Sequence, residues 1–231
     1  MSMRDNLDIS AYLVLGPENT LGRPVADVVE QALDAGFTCM QIRSKVCSVR
    51  DLIEYTAQAA DVIARAGKSD QVALLIDDRL DAVLAARERG IKCDGVHVGQ
   101  SDIPVDVCRK LLGPDAIVGL SARCEEMLEH VKTADMSLVD YLGVGPLHET
   151  ATKKDAGLTS DGSIVTQDFD DLRALHEVSP RPIVVGGGVK AADLPALKAT
   201  GVEGFFVVSA VCSAPDPHAA AAELVETWRQ A

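Results

Sequence analysis

The chain has 231 residues, 47% of them hydrophobic but only 3% aromatic, and a formal net charge of -13. So acidic a surface repels nucleic acid and anionic membranes, and so few aromatics give no stacking platform for single-stranded nucleic acid. The opening "MSMRDNLDIS" has no apolar signal core, and no later segment approaches the roughly 18 to 20 apolar residues of a membrane span. A soluble, cytoplasmic protein is expected, with small-molecule partners rather than nucleic acid or membrane.

After a polar N-terminal tail (1–9), short β-branched runs alternate with longer segments of helical period. The predicted strands are "AYLVLG" (11–16), "FTCMQIR" (37–43), "VALLID" (72–77), "DGVHVG" (94–99), "AIVGLS" (116–121), "VDYLGVG" (139–145), "PIVVGGG" (182–188) and "GFFVVS" (204–209). Between them lie helical patterns such as "RPVADVVEQALDAG" and "RLDAVLAARERG", each closed by a glycine placed as a C-cap. Pro195 falls in a first helical turn, where its missing N–H costs nothing. Eight βα units in this length predict one α/β domain spanning 1–231, a closed (β/α)8 TIM barrel, with an open doubly wound sheet as the alternative. The six cysteines are irregularly spaced with no Cys-x-x-Cys pair, so buried thiols are expected rather than a disulfide or zinc scaffold.

Barrel active sites form at the C-terminal ends of the strands, which directs attention to the residues after each run. Gln41, Arg43 and Lys45 follow the second run, and strand alternation places them on one side. Asp77 and Asp78 stand at the boundary after the third run and Asp102 follows the fourth. Singly these acids serve as helix caps, but two carboxylates at neighbouring strand ends beside a basic pair fit a hard cation that bridges a polyphosphate. Ser121 ends the fifth run, either as a helix cap or as a donor to substrate. The loop after the sixth run, "GVGPLHETATKKDAG", carries Thr150, Thr152 and Lys153. Gly186, Gly187 and Gly188 after the seventh run, with Val208 and Ser209 at the end of the eighth, match the phosphate site that many barrels build there. One phosphate site and one cation site imply two phosphorylated ligands.

Taken in order, "QIRSK", "DDRLD", "DGVHVGQSD", "VGLSA", "DYLGVGPLHETATKKD", "PIVVGGGV" and "GFFVVSA" resemble the thiamine-phosphate synthase (thiamine-phosphate pyrophosphorylase) family across about residues 10 to 220. The resemblance implies a transferase that joins hydroxymethylpyrimidine diphosphate to a (carboxy)thiazole phosphate. It releases pyrophosphate, and CO2 where the thiazole is carboxylated, by Mg2+-assisted dissociative substitution. It further implies that Gln41, Arg43, Lys45, Asp77, Ser121 and Lys153 hold the pyrimidine diphosphate, with Arg43, Lys45, Lys153 and Ser121 as the catalytic set. Asp78 and Asp102 would bind Mg2+, while Thr150, Thr152, Gly188, Val208 and Ser209 would hold the thiazole phosphate. A homo-oligomer, or fusion to other thiamine-pathway domains, is compatible with the sequence.

Three positions depart from the family pattern. Asp77 stands where Asn is common, and an extra negative charge beside a diphosphate calls for a metal or a proton to compensate it. Arg123 and Cys124 replace His-Thr, and His148 and Glu149 replace an aromatic and Pro. His97, inside a strand, reads as a hydrogen-bonded barrel histidine. The alternatives are a thiazole tautomerase, which resembles the synthase but lacks its diphosphate-binding set, and a non-catalytic barrel that binds a phosphorylated ligand.

Overall fold

The computed structural model describes the backbone of residues 2–122, 124–150 and 165–231, and no side chain at 122, 124–127 or 130. Eight parallel strands close into a barrel in the order of the chain. They are β1 (Ala11–Leu15), β2 (Cys39–Ile42), β3 (Ala73–Asp77), β4 (Gly95–Val98), β5 (Ile117–Ala122), β6 (Tyr141–Val144), β7 (Ile183–Val185) and β8 (Gly204–Val207). β1 pairs with both β2 and β8, which shuts the sheet and excludes the open doubly wound alternative. Every predicted strand is present. Most are a residue or more shorter than their predicted runs, which extend past the strand at one end or both.

The helices α1 (Val25–Ala35), α2 (Val49–Arg65), α3 (Leu80–Glu88), α4 (Val105–Leu112), α5 (Cys124–Thr133), α6 (Phe169–Val178), α7 (Leu194–Lys198), α8 (Ser209–Cys212) and α9 (Pro217–Gln230) surround the sheet. Glycines placed as stops do stop them: Gly36 after α1 and Gly90 after α3 have φ of 104° and 73°, left-handed values that a side chain disfavours. Side-chain caps start others, as where Ser48 accepts from the Asp51 N–H and Asp168 from that of Asp171. Pro195 lies in the first turn of α7. Cys39, Cys93, Cys108 and Cys212 are buried free thiols and Cys47 is half-buried. Among the described residues no helix is long and apolar enough to cross a membrane.

Alternation along the strands divides the core in two. Leu13, Met40, Leu74, Val96 and Val118 face the helices, while Tyr12, Val14, Cys39, Ala73, Leu75, Ile117, Tyr141 and Val184 pack inside the barrel. The nine-residue segment that composition marks as a polar tail is tied to this interior. Met3, Leu7 and Ile9 pack against the inner cluster, and Arg4 reaches Asp140 at 2.6 Å and the Pro114 carbonyl at 2.6 Å.

The same rim, at the N-terminal ends of the strands, carries a device repeated four times. Thr38, Asp94, Asp140 and Glu203 immediately precede β2, β4, β6 and β8, and each makes at least two bonds to one residue of the strand before. Their backbone N–H groups donate to the carbonyls of Ala11, Leu74, Val118 and Ile183. Their side chains accept from the N–H groups of those same residues, at 3.3, 2.7, 2.7 and 2.6 Å. A ladder end leaves such donors orphaned, so each side chain stands in for the next backbone acceptor. The opposite rim is thereby left to function.

Candidate active site

The C-terminal rim encloses a cavity of about 470 Å3, within the range of small-molecule sites. Every sequence-predicted site residue that is described lines it: Gln41, Arg43, Lys45, Asp77, Asp78, Asp102, Ser121, Thr150, Gly188, Val208 and Ser209. Thr152 and Lys153 lie outside the described residues, as does Arg123.

Strand parity explains the convergence. Gln41, Arg43, Asp77 and Ser121 continue the inward-facing alternation begun by Cys39, Ala73 and Ile117, so apolar residues fill the barrel below and polar ones emerge above. Arg43 Nε lies 2.9 Å from Asp77 Oδ2, Gln41 Nε2 donates to Asp77 Oδ1, and Lys45 Nζ pairs with Asp78. Glu18, from the loop after β1, accepts from Ser44 Oγ at 2.5 Å and from the Lys45 N–H at 3.1 Å, which steadies the loop that presents Lys45. Sequence reasoning did not single out Glu18; a lone acid in a polar loop carries no local signal.

Asp77 is the electrostatic anomaly. Burial, then the neighbouring Asp78 charge, push its pKa up to about 7, against the pull of Arg43 and Lys45. The unfolded chain ionises this carboxyl near its ordinary value of 3.8. The folded state therefore holds the proton more tightly, and this contribution to stability is complete below about pH 4 and declines as pH rises through about 7. Asp77→Asn is expected to flatten that decline. Melting temperatures of parent and variant between those two pH values should diverge progressively in the variant's favour, and parallel curves would refute the shift.

Asp78 adopts φ of 57°, a left-handed backbone that is uncommon outside glycine and concentrated at functional sites. Burial raises its pKa, but hydrogen bonds from Lys45 and Asp102 outweigh this and the net shift is downward. Asp102 moves the other way, raised by burial and then by its hydrogen bond to Asp78, although its Oδ2 accepts from the Gly99 N–H at 2.8 Å. Two carboxyls this close resist joint ionisation, and a divalent cation between them would relieve the repulsion. Among the described residues no three His, Cys, Asp or Glu side chains converge as a ligand cage. A metal here would take two protein carboxylates and complete its shell with water and phosphate, the habit of Mg2+.

Across the cavity, Gly187 and Gly188 have φ of 80° and 75°. A Cβ on Gly188 would sit 2.9 Å from His148 Cβ, and one on Gly187 would sit 2.6 Å from Pro146 Cα, so glycine lets the two loops abut. His148 N donates to the Gly187 carbonyl at 2.9 Å and its Nε2 lies 3.0 Å from Asp193 Oδ2, which ties the loop leading to Thr150 to the glycine turn. Ser209 opens α8 at the cavity edge. His97 lines the cavity with Nδ1 2.7 Å from the Tyr141 hydroxyl, as expected for a hydrogen-bonded barrel histidine.

Comparison with known proteins agrees with this geometry. The family model described as thiamine monophosphate synthase matches residues 11–211. A thiamine-phosphate synthase of Vibrio campbellii is 37% identical over 222 residues, covering 94% of this chain and 97% of the relative. One from Corynebacterium efficiens is 37% identical over 223 residues, covering 96% of each. The solved thiamine phosphate pyrophosphorylase of Pyrococcus furiosus superposes with a TM-score of 0.76 at 27% identity, covering 99% of this chain and 98% of that one. With matches that run almost from end to end and a strand-end cavity lined by the expected residues, the chain belongs to the thiamine monophosphate synthase family.

Proposed function

We propose that this cavity performs thiamine-phosphate synthesis, a pyrimidinylmethyl transfer in which a pyrimidine diphosphate is joined to a thiazole phosphate with release of pyrophosphate. The carrying observation is the convergence of Gln41, Arg43, Lys45, Asp78 and Asp102 on one wall, opposite the glycine turn with Gly188, Val208 and Ser209. Two anion sites facing each other across one cavity suit a reaction between two phosphorylated ligands, and it is the first of these walls that a tautomerase or a simple phosphate-binding barrel does not need.

In this reading Arg43 and Lys45, with Lys153, which follows β6 in the sequence, neutralise charge as it builds on the departing pyrophosphate. Gln41 and Ser121 orient the pyrimidine. Thr150, Thr152, Gly188, Val208 and Ser209 hold the thiazole phosphate so that its ring nitrogen faces the methylene carbon left by the diphosphate. Holding two rings in register supplies the rest of the rate, and no side-chain nucleophile is called for. Asp78 and Asp102 would hold Mg2+, which, when bound, adds positive charge beside the diphosphate. The setting is the cytoplasm.

Turnover of the two substrates with and without Mg2+, for the parent and Lys153→Ala, tests this. Product should require the cation, and Lys153→Ala should lower kcat by about 10- to 100-fold, in line with loss of one transition-state contact. Undiminished turnover in the variant would remove Lys153 from the catalytic set. Binding of both ligands without pyrophosphate release would favour the non-catalytic barrel.

A further inference from the structure

Gly186 is the member of the glycine turn that backbone geometry does not explain. Gly187 and Gly188 have left-handed φ and abut Pro146 and His148, but Gly186 has no positive φ. What it makes room for is a ring. The first three atoms that a Cβ there would strike all belong to the side chain of Phe206. The backbone is not free to yield instead, because Gly186 N donates to the Val144 carbonyl at 3.0 Å and its own carbonyl accepts from the Leu147 N–H at 2.9 Å.

Among the described residues, Phe206 alone of the four phenylalanines lines the cavity. Phe37 and Phe205 are buried in the outer cluster and Phe169 packs against it. Strand parity turns Phe206 the other way, onto the inner cluster, with its ring centroid 6.3 Å from that of Tyr12. At the cavity end of that cluster Val14 and Val184 are buried, while Phe206 and Val208 are left half-buried. The ring is thus a floor beneath the phosphate site. Two residues separate Phe206 from Val208, a rise of about 6.6 Å along the strand, and Gly186 stands two residues before Gly188 in the same way. A ring joined to its phosphate by a two-carbon chain spans a gap of that order.

We propose that Phe206, laid across Gly186, is a specificity-determining face of the phosphate site: a flat heteroaromatic ring tethered to the phosphate at Gly188, Val208 and Ser209 stacks on it. An offset-stacked aromatic pair is favourable beyond the area it buries, so this face selects a flat ring over an aliphatic group of the same size. Gly186 is the positioning residue, since a side chain there would push the Phe206 ring out of place. That the stacked ring is the thiazole rests on the proposed function; the pairing of Gly186 with Phe206 does not.

The test is calorimetric titration of the intact protein with thiazole ethyl phosphate and with ethyl phosphate, the same anion without the ring. Phe206→Leu, which keeps an apolar side chain but not a flat face, should weaken thiazole ethyl phosphate about tenfold and leave ethyl phosphate within about twofold, the size of one aromatic pair. Gly186→Ala should reproduce that loss and lower the melting temperature. In a Phe206→Ala background the same Gly186→Ala change should alter neither, because the ring it displaces is gone. Steady-state kinetics add a readout that general damage would not mimic: KM for the thiazole phosphate should rise about tenfold in Phe206→Leu while KM for the pyrimidine diphosphate stays put. Equal weakening of both phosphates, no weakening of either, a rise in the pyrimidine KM instead, or a Gly186→Ala cost that is the same with and without Phe206 overturns the proposal. A parent that prefers the ring-bearing phosphate through Phe206 yet makes no thiamine phosphate would defeat the proposed function and leave the aromatic floor standing.

Discussion

Arg43→Ala is expected to lower kcat/KM for thiamine phosphate formation by about 100- to 1000-fold, the usual loss when one preorganised donor to developing charge is removed. Arg43 continues the inward side of β2, and its Nε contact with Asp77 fixes where the guanidinium fork stands. A pyrophosphate leaving group gathers negative charge as its bond breaks, and a cation already held in place needs no reorganisation to meet it. The same truncation also deprives a carboxyl that is 10% exposed of its nearest cation, so part of any measured loss will be lost stability. Arg43→Ala/Asp77→Asn separates the two effects. The double variant should recover the denaturation midpoint and leave the rate depressed. Pyrophosphate release within about threefold of the parent in Arg43→Ala would refute the leaving-group role.

At the far rim of the barrel the expected effect is on stability. The Asp140 side chain is 6% exposed and accepts three bonds: from the Val118 N–H at 2.7 Å, from Arg4 Nε at 2.6 Å and from Arg109 at 2.7 Å. Asp140→Ala leaves a buried backbone donor and two cations without their shared acceptor. A loss of about 3 to 5 kcal/mol is expected, the range for breaking a buried ion pair from one side. Asp140→Asn keeps an acceptor for Val118 and should cost less. Urea denaturation measures both, and because the cavity lies at the opposite ends of the strands, kcat per folded molecule should not change. A loss below about 1 kcal/mol in Asp140→Ala would show that the repeated clamp at this rim is ornamental.

What could be read without coordinates was what obeys short-range rules. Strand existence follows from β-branched runs, helix ends from glycines such as Gly36 and Gly90 whose left-handed φ is a local need, and the inward set Gln41, Arg43 and Asp77 from simple parity. The residues that escaped notice owe their roles to partners distant in the chain. Tyr12 and Tyr141 sit in apolar runs and look like core filling, yet they are 129 residues apart and meet oxygen to oxygen. Thr38, Asp94, Asp140 and Glu203 look like ordinary polar residues before a strand, and their common task exists only because each strand of a closed sheet has a neighbour whose first donor would otherwise be orphaned.

Met3, Leu7 and Ile9 are too few and too scattered among charges to announce an element, and it is the open lower end of the barrel that gives them something to cover. The amino-acid sequence by itself determined the eight βα units, their closure and which side chains end up at the functional rim, because alternation and capping act over a few residues. The tertiary structure decided which polar groups share a proton or a charge, because Asp77 acquires its raised pKa and His97 its partner only when strands far apart in the chain are brought side by side in a dry interior.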